Sequence, residues 1–252
     1  MAKQVTSKDN YWFSAAFVNR IWGELMGQAF YQPVDNMGPL QDATFPGVLL
    51  RLAGSFRSTD YNVKQLYRVI LNTEVYQRQT RIGESAQDHL KFAASYPTRL
   101  HTDALWDSLV NVLGEFENGP AQARLRQQQG KAARFLRAGL QGQFGDMFDF
   151  DPSTKSDEVE GTVPQALMLM NNQQFNGRIR ATGTTILAGI LKKNPDDEGA
   201  IKTLYLHALA RKPSDRELQI CVDYIRETKN RNEAYEDLLW SLINSTEFQT
   251  RR

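Results

Sequence analysis

Residues 9–25, Asp9-Asn10-Tyr11-Trp12-Phe13-Ser14-Ala15-Ala16-Phe17-Val18-Asn19-Arg20-Ile21-Trp22-Gly23-Glu24-Leu25, decide how this chain folds. Phe13, Phe17, Ile21 and Leu25 recur four apart, the spacing of one helix face, behind the cap candidates Asp9 and Asn10. The spacing predicts a helix of about five turns. Within it, Val18-Asn19-Arg20-Ile21-Trp22 sets an amide and a guanidinium in the middle of an apolar run. A loop holding Pro33-Val34-Asp35-Asn36-Met37-Gly38-Pro39 follows.

The same helical period continues outward from there. Pro46 opens a second helix lined by Val48, Leu49, Leu52, Ala53 and Phe56, and Asn62 caps a third with Val63, Leu66 and Ile70. Thr102 reads as the cap of a fourth, carrying Leu105, Leu109, Val112 and Leu113 and closed by Gly114 in a left-handed cap. These four are expected to make one bundle. Thr162 and Pro164 begin a long helical stretch that breaks near Asn176-Gly177, and Asn194-Pro195-Asp196 separates it from the next helix. Ser214-Asp215-Arg216-Glu217 is a capping box, in which the serine and glutamate each satisfy an orphan backbone N–H. A last helix carries Tyr235, Leu238, Leu239, Leu242 and Ile243. No hairpin signal or sustained alternation appears, so the expectation is an all-α, multi-helix bundle, in one piece or as two packed helical subdomains.

Composition narrows the functional classes. With 252 residues, 41% of them hydrophobic, the chain can bury one large core or two smaller ones. A formal net charge of +1 supplies no field to recruit nucleic acid or an anionic surface. No run reaches the roughly 20 apolar residues of a membrane-spanning helix, and Met1-Ala2-Lys3-Gln4-Val5 lacks a signal-peptide apolar stretch. Cys221 is the single cysteine, which excludes an internal disulfide and paired-cysteine redox or haem-attachment motifs. No cofactor or metal motif is present. His101, Asp103 and Asp107 read as a capping region with solvated carboxylates.

Composition also divides the chain into residues 1–117, 118–160 and 161–252. The middle stretch has five basic residues (Arg124, Arg126, Lys131, Arg134, Arg137) and no acid up to Gly145, then six acids against Lys155 from Asp146 to Glu160. The two charge runs offset one another, so this reads as a variable insertion rather than a nucleic-acid or lipid surface.

Several segments resemble one known family. To the two N-terminal motifs are added Lys64-Gln65-Leu66-Tyr67-Arg68-Val69-Ile70-Leu71-Asn72, with Tyr76 shortly after, and Arg99-Leu100-His101-Thr102-Asp103-Ala104-Leu105-Trp106-Asp107. Phe148-Asp149-Phe150 precedes Val163-Pro164-Gln165-Ala166-Leu167-Met168-Leu169-Met170-Asn171. Two closing stretches, Leu204 to Ser214 and Asp237 to Phe248, complete the set. In this order the segments resemble domain of unknown function 1553, a bacterial family associated mainly with planctomycetes. The resemblance implies the C-terminal part of a larger exported protein, with a signal peptide, a cytochrome-c-like haem domain and a second domain of unknown function upstream. None of these lies within the 252 residues, so the chain reads as a cut domain or a shortened member, its location left open. Where relatives carry a histidine beside the proline of the second helix, this chain has Phe45, and a basic or cysteine-containing stretch is replaced by Lys155-Ser156-Asp157-Glu158-Val159-Glu160.

Two candidate sites emerge. Asn19, Arg20, Asp35 and Asn36 form either a structural polar cluster, with Arg20 and Glu24 pinning the loop through Asp35, or a pocket for an anionic or sugar ligand. The structural reading predicts a cost of roughly 3 kcal/mol for Arg20→Ala. Tyr11, Trp12 and Phe13 are a candidate partner surface, open to self-association or to a protein or neighbouring domain. No spacing unites nucleophile, base and orienting group, so no catalytic residue is assigned. A helical interaction or scaffolding module is the leading expectation. A polysaccharide-degrading enzyme or accessory domain, and part of an electron-transfer protein whose haem domain is absent, are the alternatives that the resemblance supplies.

Overall fold

The computed structural model of the chain describes residues 2–38, 42–78, 92–116, 140–150 and 161–251. It is all-α. The described residues divide into two compact units: one runs to Arg99 and includes Phe150 and Arg251, and the other takes Leu100 to Asp149 and Gly161 to Thr250.

The first unit contains helices α1 (Ala2–Val5), α2 (Tyr11–Met26), α3 (Pro46–Ser58), α4 (Val63–Leu71) and α5 (Glu74–Gln77), with a strand β1 (Thr98–Arg99). Asn10 caps α2 by accepting from Trp12 N at 3.1 Å, and Asn62 caps α4 by accepting from Gln65 N at 3.0 Å. The core is built by Ala15, Val18, Trp22 and Met26 of α2 against Leu49, Ala53 and Phe56 of α3 and Leu66 and Ile70 of α4. Phe13 and Phe17, expected at the centre of the α2 stripe, are half-buried instead. The buried face runs through Ser14, Val18, Ile21, Trp22 and Leu25, and this turns Asn19 inward. Glycine is required at position 27, where α2 ends in the left-handed region at φ 76°. A Cβ there would also lie 2.9 Å from the Tyr96 carbonyl oxygen.

The second unit contains α6 (Thr102–Leu113), α7 (Leu140–Phe148), α8 (Val163–Asn171), α9 (Gln173–Ile179), α10 (Ile186–Lys193), α11 (Asp197–Leu209), α12 (Asp215–Thr228), α13 (Arg231–Ile243) and α14 (Thr246–Gln249). Its core gathers Leu105, Leu109 and Leu113, Phe144 and Phe148, Phe175, Leu187, Ile201 and Leu204, and Tyr235, Leu239 and Ile243. The rings of Trp106, Phe116, Phe144 and Phe175 meet at centroid distances of 4.9 to 6.4 Å. A second strand, β2 (Thr250–Arg251), is likewise two residues long.

Several local expectations change. α6 does not close the N-terminal bundle: Leu105, Leu109 and Leu113 belong to the second core, because an apolar stripe fixes which face is buried but not against what. His101, rather than Thr102, is its N-cap, and Gly114 follows it with a positive φ of 87° but an extended ψ of 166°. The long C-terminal stretch breaks at Asn172, not at Asn176-Gly177. Asn172 ends α8 and caps α9, its side chain accepting from Gln174 N at 2.9 Å, while Asn176 donates back to Met170 O. Asp196 and Ser214 start α11 and α12, and the Ser214–Glu217 capping box is present in full. Of residues 118–160, only 140–150 are described, and there Leu140, Phe144 and Phe148 are core. The basic run Arg124 to Arg137 and Lys155 to Glu160 lie outside the described residues.

Candidate functional site

Asn19 and Arg20 are neighbours in sequence and separated by about 100° around α2. Asn19 is 0% exposed and points at the loop that follows the helix. Its Nδ2 donates to Val34 O at 3.0 Å and Tyr31 O at 3.4 Å, and its Oδ1 accepts from Tyr31 N at 2.9 Å. An amide carries both donor and acceptor, so one side chain satisfies both polarities of a buried loop backbone. Arg20 points outward and donates through Nη2 to Asp35 Oδ1 at 2.5 Å, with the two side chains 53% and 58% exposed. Asn36 is exposed, and its backbone N donates to Pro33 O at 3.0 Å. The four residues therefore converge on residues 31–36, with Asn19 on the sealed side and Arg20 and Asp35 open to solvent. Glu24 does not join them; its carbonyl accepts from Arg251.

This division corrects the expected cost of losing Arg20. An exposed ion pair contributes about 0–1 kcal/mol, not the roughly 3 kcal/mol of a buried one. Asn19 is the residue whose removal would leave buried partners unpaired.

The three N-terminal aromatics separate as well. Tyr11 is half-buried against the first core, where desolvation raises its phenol above the usual range, and Phe13 sits edge-on to Tyr61 at 5.4 Å. Trp12 alone of the three is exposed, at 42%.

At the entry to α3, Phe45 adopts a left-handed conformation, φ 51° and ψ 59°, and leaves its ring 53% exposed. Beside it Pro46, Gly47, Val48, Arg51 and Leu52 line an open concavity of about 640 Å³. On the second unit, α8 turns Val163, Leu167 and Met170 outward, with Val163 73% exposed. Residues 163–177 contain no charged side chain. Gln165, on the opposite face, is buried; it completes a capping box with Thr162 and donates to Met147 O at 2.9 Å.

Among the described residues, the ionic arrangement with the most bonds is one that no sequence motif announces. Arg211 donates to both oxygens of Glu247 at 2.7 Å and to both oxygens of Glu217 at 2.7 and 2.9 Å. Its guanidinium also lies 5.5 Å from the centre of the Tyr205 ring. Arg211 follows α11, Glu217 lies in the first turn of α12 and Glu247 in α14, so one side chain ties three helices. Glu217 simultaneously accepts from Ser214 N at 2.7 Å. Hydrogen bonding to Arg211 holds its carboxyl at about 2, while the two glutamates raise the Arg211 guanidinium further above its already high range. The local signal is an arginine three residues before the Ser214–Glu217 capping box; its second partner lies 36 residues away. A related clasp has Arg231 Nε on Asp197 Oδ1 at 2.8 Å and Nη2 on Asn194 O at 2.9 Å.

Cys221 is buried 3.8 Å from Tyr205 Oη, and desolvation pushes its thiol up, away from the reactive thiolate. His207 Nε2 lies 3.0 Å from Val112 O. Among the described residues no three His, Cys, Asp or Glu side chains gather as a metal site, and no helix is long and apolar enough to cross a membrane.

No curated protein and no solved structure matches the chain. Residues 1–225 match the family described as "Protein of unknown function (DUF1553)", so the match contains the Asn19 clamp, the α8 segment and the Arg211–Glu217 pair and stops before Glu247. Because that match spans most of its length, the chain belongs to this family.

Proposed function

We propose that the chain is a helical interaction module that holds a protein partner or a neighbouring domain of a longer polypeptide. The observation that carries this reading is the outward face of α8, where Val163, Leu167 and Met170 stand at helical spacing with no charge among residues 163–177. Apolar side chains aligned along one exposed face favour burial against a second protein surface, and a partner helix meets that i, i+4, i+7 pattern directly. Full burial of such side chains contributes about 1.5–3 kcal/mol each. The polar groups closest to a site, Asn19 and Gln165, are occupied by backbone partners, which fits a rigid scaffold.

A photo-crosslinking phenylalanine placed at Leu167 in the full chain tests the reading in its native cell. The expected result is one dominant protein adduct, lost when Met170→Lys is added and retained when Lys212→Gln is added instead. An adduct pattern indifferent to Met170→Lys would overturn it. So would turnover of a sulfated glycan by the purified chain that disappears in Asp35→Asn with the fold intact, since the exposed Arg20–Asp35 pair would then be part of a polysaccharide site.

A further inference from the structure

We infer that the concavity at the entry to α3 is a docking site for an acidic, apolar peptide segment of a protein partner. An apolar side chain seats against Phe45, Val48 and Leu52, and a carboxylate meets Arg51. The inference extends the interaction reading to a different surface from α8, and the two stand or fall by separate measurements.

Three features select this occupant. The lining is apolar apart from one guanidinium, and Arg51, one helical turn beyond Val48, makes no ion pair or hydrogen bond with the described residues. A lone cation on an apolar rim is complementary to a single negative group attached to an apolar body. The concavity is open, and Phe45 and Val48 remain exposed while Leu52 is half-buried. A small-molecule site encloses most of its ligand, whereas an extended peptide lies across an open trough with only alternate side chains buried. Finally, among the described residues Arg51 is the only basic one of the lining, too little charge for a lipid headgroup surface or a nucleic-acid backbone, both of which recruit several cations.

The Phe45 ring is fixed in this trough from behind. Its centroid lies 5.7 Å from that of Phe92, which in turn packs against Phe30 and Trp22 at 5.2 and 5.4 Å. The preceding residue is tied down by Thr44 N donating to Phe30 O at 2.8 Å, and Phe45 O accepts from Val48 N at 2.9 Å. One wall of the trough is therefore an exposed aromatic with little freedom to lose on binding, the property that makes a good anchor surface.

The test uses the full chain and two libraries of random heptapeptides, one ending in a free carboxylate and one in an amide. Selection should enrich peptides with a Leu, Phe or Met close to an acid. Enrichment in the amide library assigns the acid to a side chain, and enrichment confined to the other assigns it to the C-terminus; either supports the site. By fluorescence anisotropy, the enriched peptides should bind Arg51→Gln and Val48→Lys at least tenfold more weakly than the natural chain, and Lys202→Gln equally. Arg51 makes no bond with the described residues, so Arg51→Gln should keep its thermal midpoint, and Arg51→Lys should retain part of the binding. Failure to enrich, enrichment of peptides without an acid, or equal binding to Arg51→Gln overturns the inference. So does flotation with phosphatidylserine vesicles that Arg51→Gln abolishes and the peptides do not compete, which would make the trough a lipid surface.

Discussion

The two units hold their irregular segments by different chemistry. In the first, a neutral amide, Asn19, reaches from α2 into loop 31–36 and is sealed from water. In the second, a guanidinium, Arg211, gathers two carboxylates at a partly exposed junction of α11, α12 and α14. The amide makes fewer bonds, yet its loss should cost more, because what remains is buried. The arginine makes more bonds, but water can replace them. Burial of the partner groups, rather than the number of bonds, sets the energetic rank.

Asn19→Ala should show the largest effect. It leaves Tyr31 N and Val34 O without partners and is expected to lower stability by about 3 kcal/mol, read as a shift in the chemical-denaturation midpoint that does not change with salt. A loss below about 1 kcal/mol would mean that water reaches the loop backbone, and the distinction between the two clasps would collapse. Asn19→Asp sharpens the point. The carboxylate would face Val34 O without a proton to donate, so its folded pKa should rise above the unfolded value near 3.9. A raised folded pKa means that the folded state holds the proton more tightly, so this variant should gain stability as pH falls through that folded pKa.

Arg211→Gln comes next, with an expected loss of about 1.5 kcal/mol after allowance for side chains that are roughly a third exposed. In the natural chain the Glu217 carboxyl is depressed to about 2 from a usual value of 4.5. Its contribution is therefore fully present above about pH 4.5 and lost as pH falls toward 2. The raised Arg211 adds no titration in the accessible range, because its stabilising charge is retained well into alkali. A pH series of denaturation midpoints should show an acid slope that is shallower in Arg211→Gln; parallel slopes would remove Glu217 from the clasp.

The smallest expected effect is that of Arg20→Ala, within about 0.5 kcal/mol and reduced further by salt. A midpoint shift approaching that of Asn19→Ala would restore Arg20 as the residue that pins the loop.

Much of the helical architecture could be read from residue spacing, because caps and stripes are local. Asn10, Asn62, Asp196 and Ser214 mark helix starts with side chains that reach only two or three residues onward. Partnership between helices is not local. Nothing in Leu105, Leu109 and Leu113 states which core they join, and nothing near Arg211 announces Glu247. The strands β1 and β2 are two residues each, too short for alternation to register. At the candidate site, the motif containing Asn19 and Arg20 was visible as a polar interruption, but the assignment of roles needed the phase of the helix. The observed face is centred on Val18 and Trp22 rather than Phe17, and that rotation separates a buried amide from an exposed cation.

The clasp on Arg211 also gives the end of the chain a clock. Helix α14 is a single turn, too short to persist by its own backbone bonds, and Ser245 Oγ accepts from Phe248 N at 3.2 Å at its start. Glu247 anchors that turn to Arg211, so fraying of the turn and release of the guanidinium are one event. The rate at which the Phe248 and Gln249 amides exchange protons for deuterons should then report on a charge 36 residues upstream, quickening when that charge is removed while exchange in the middle of α13 keeps its pace.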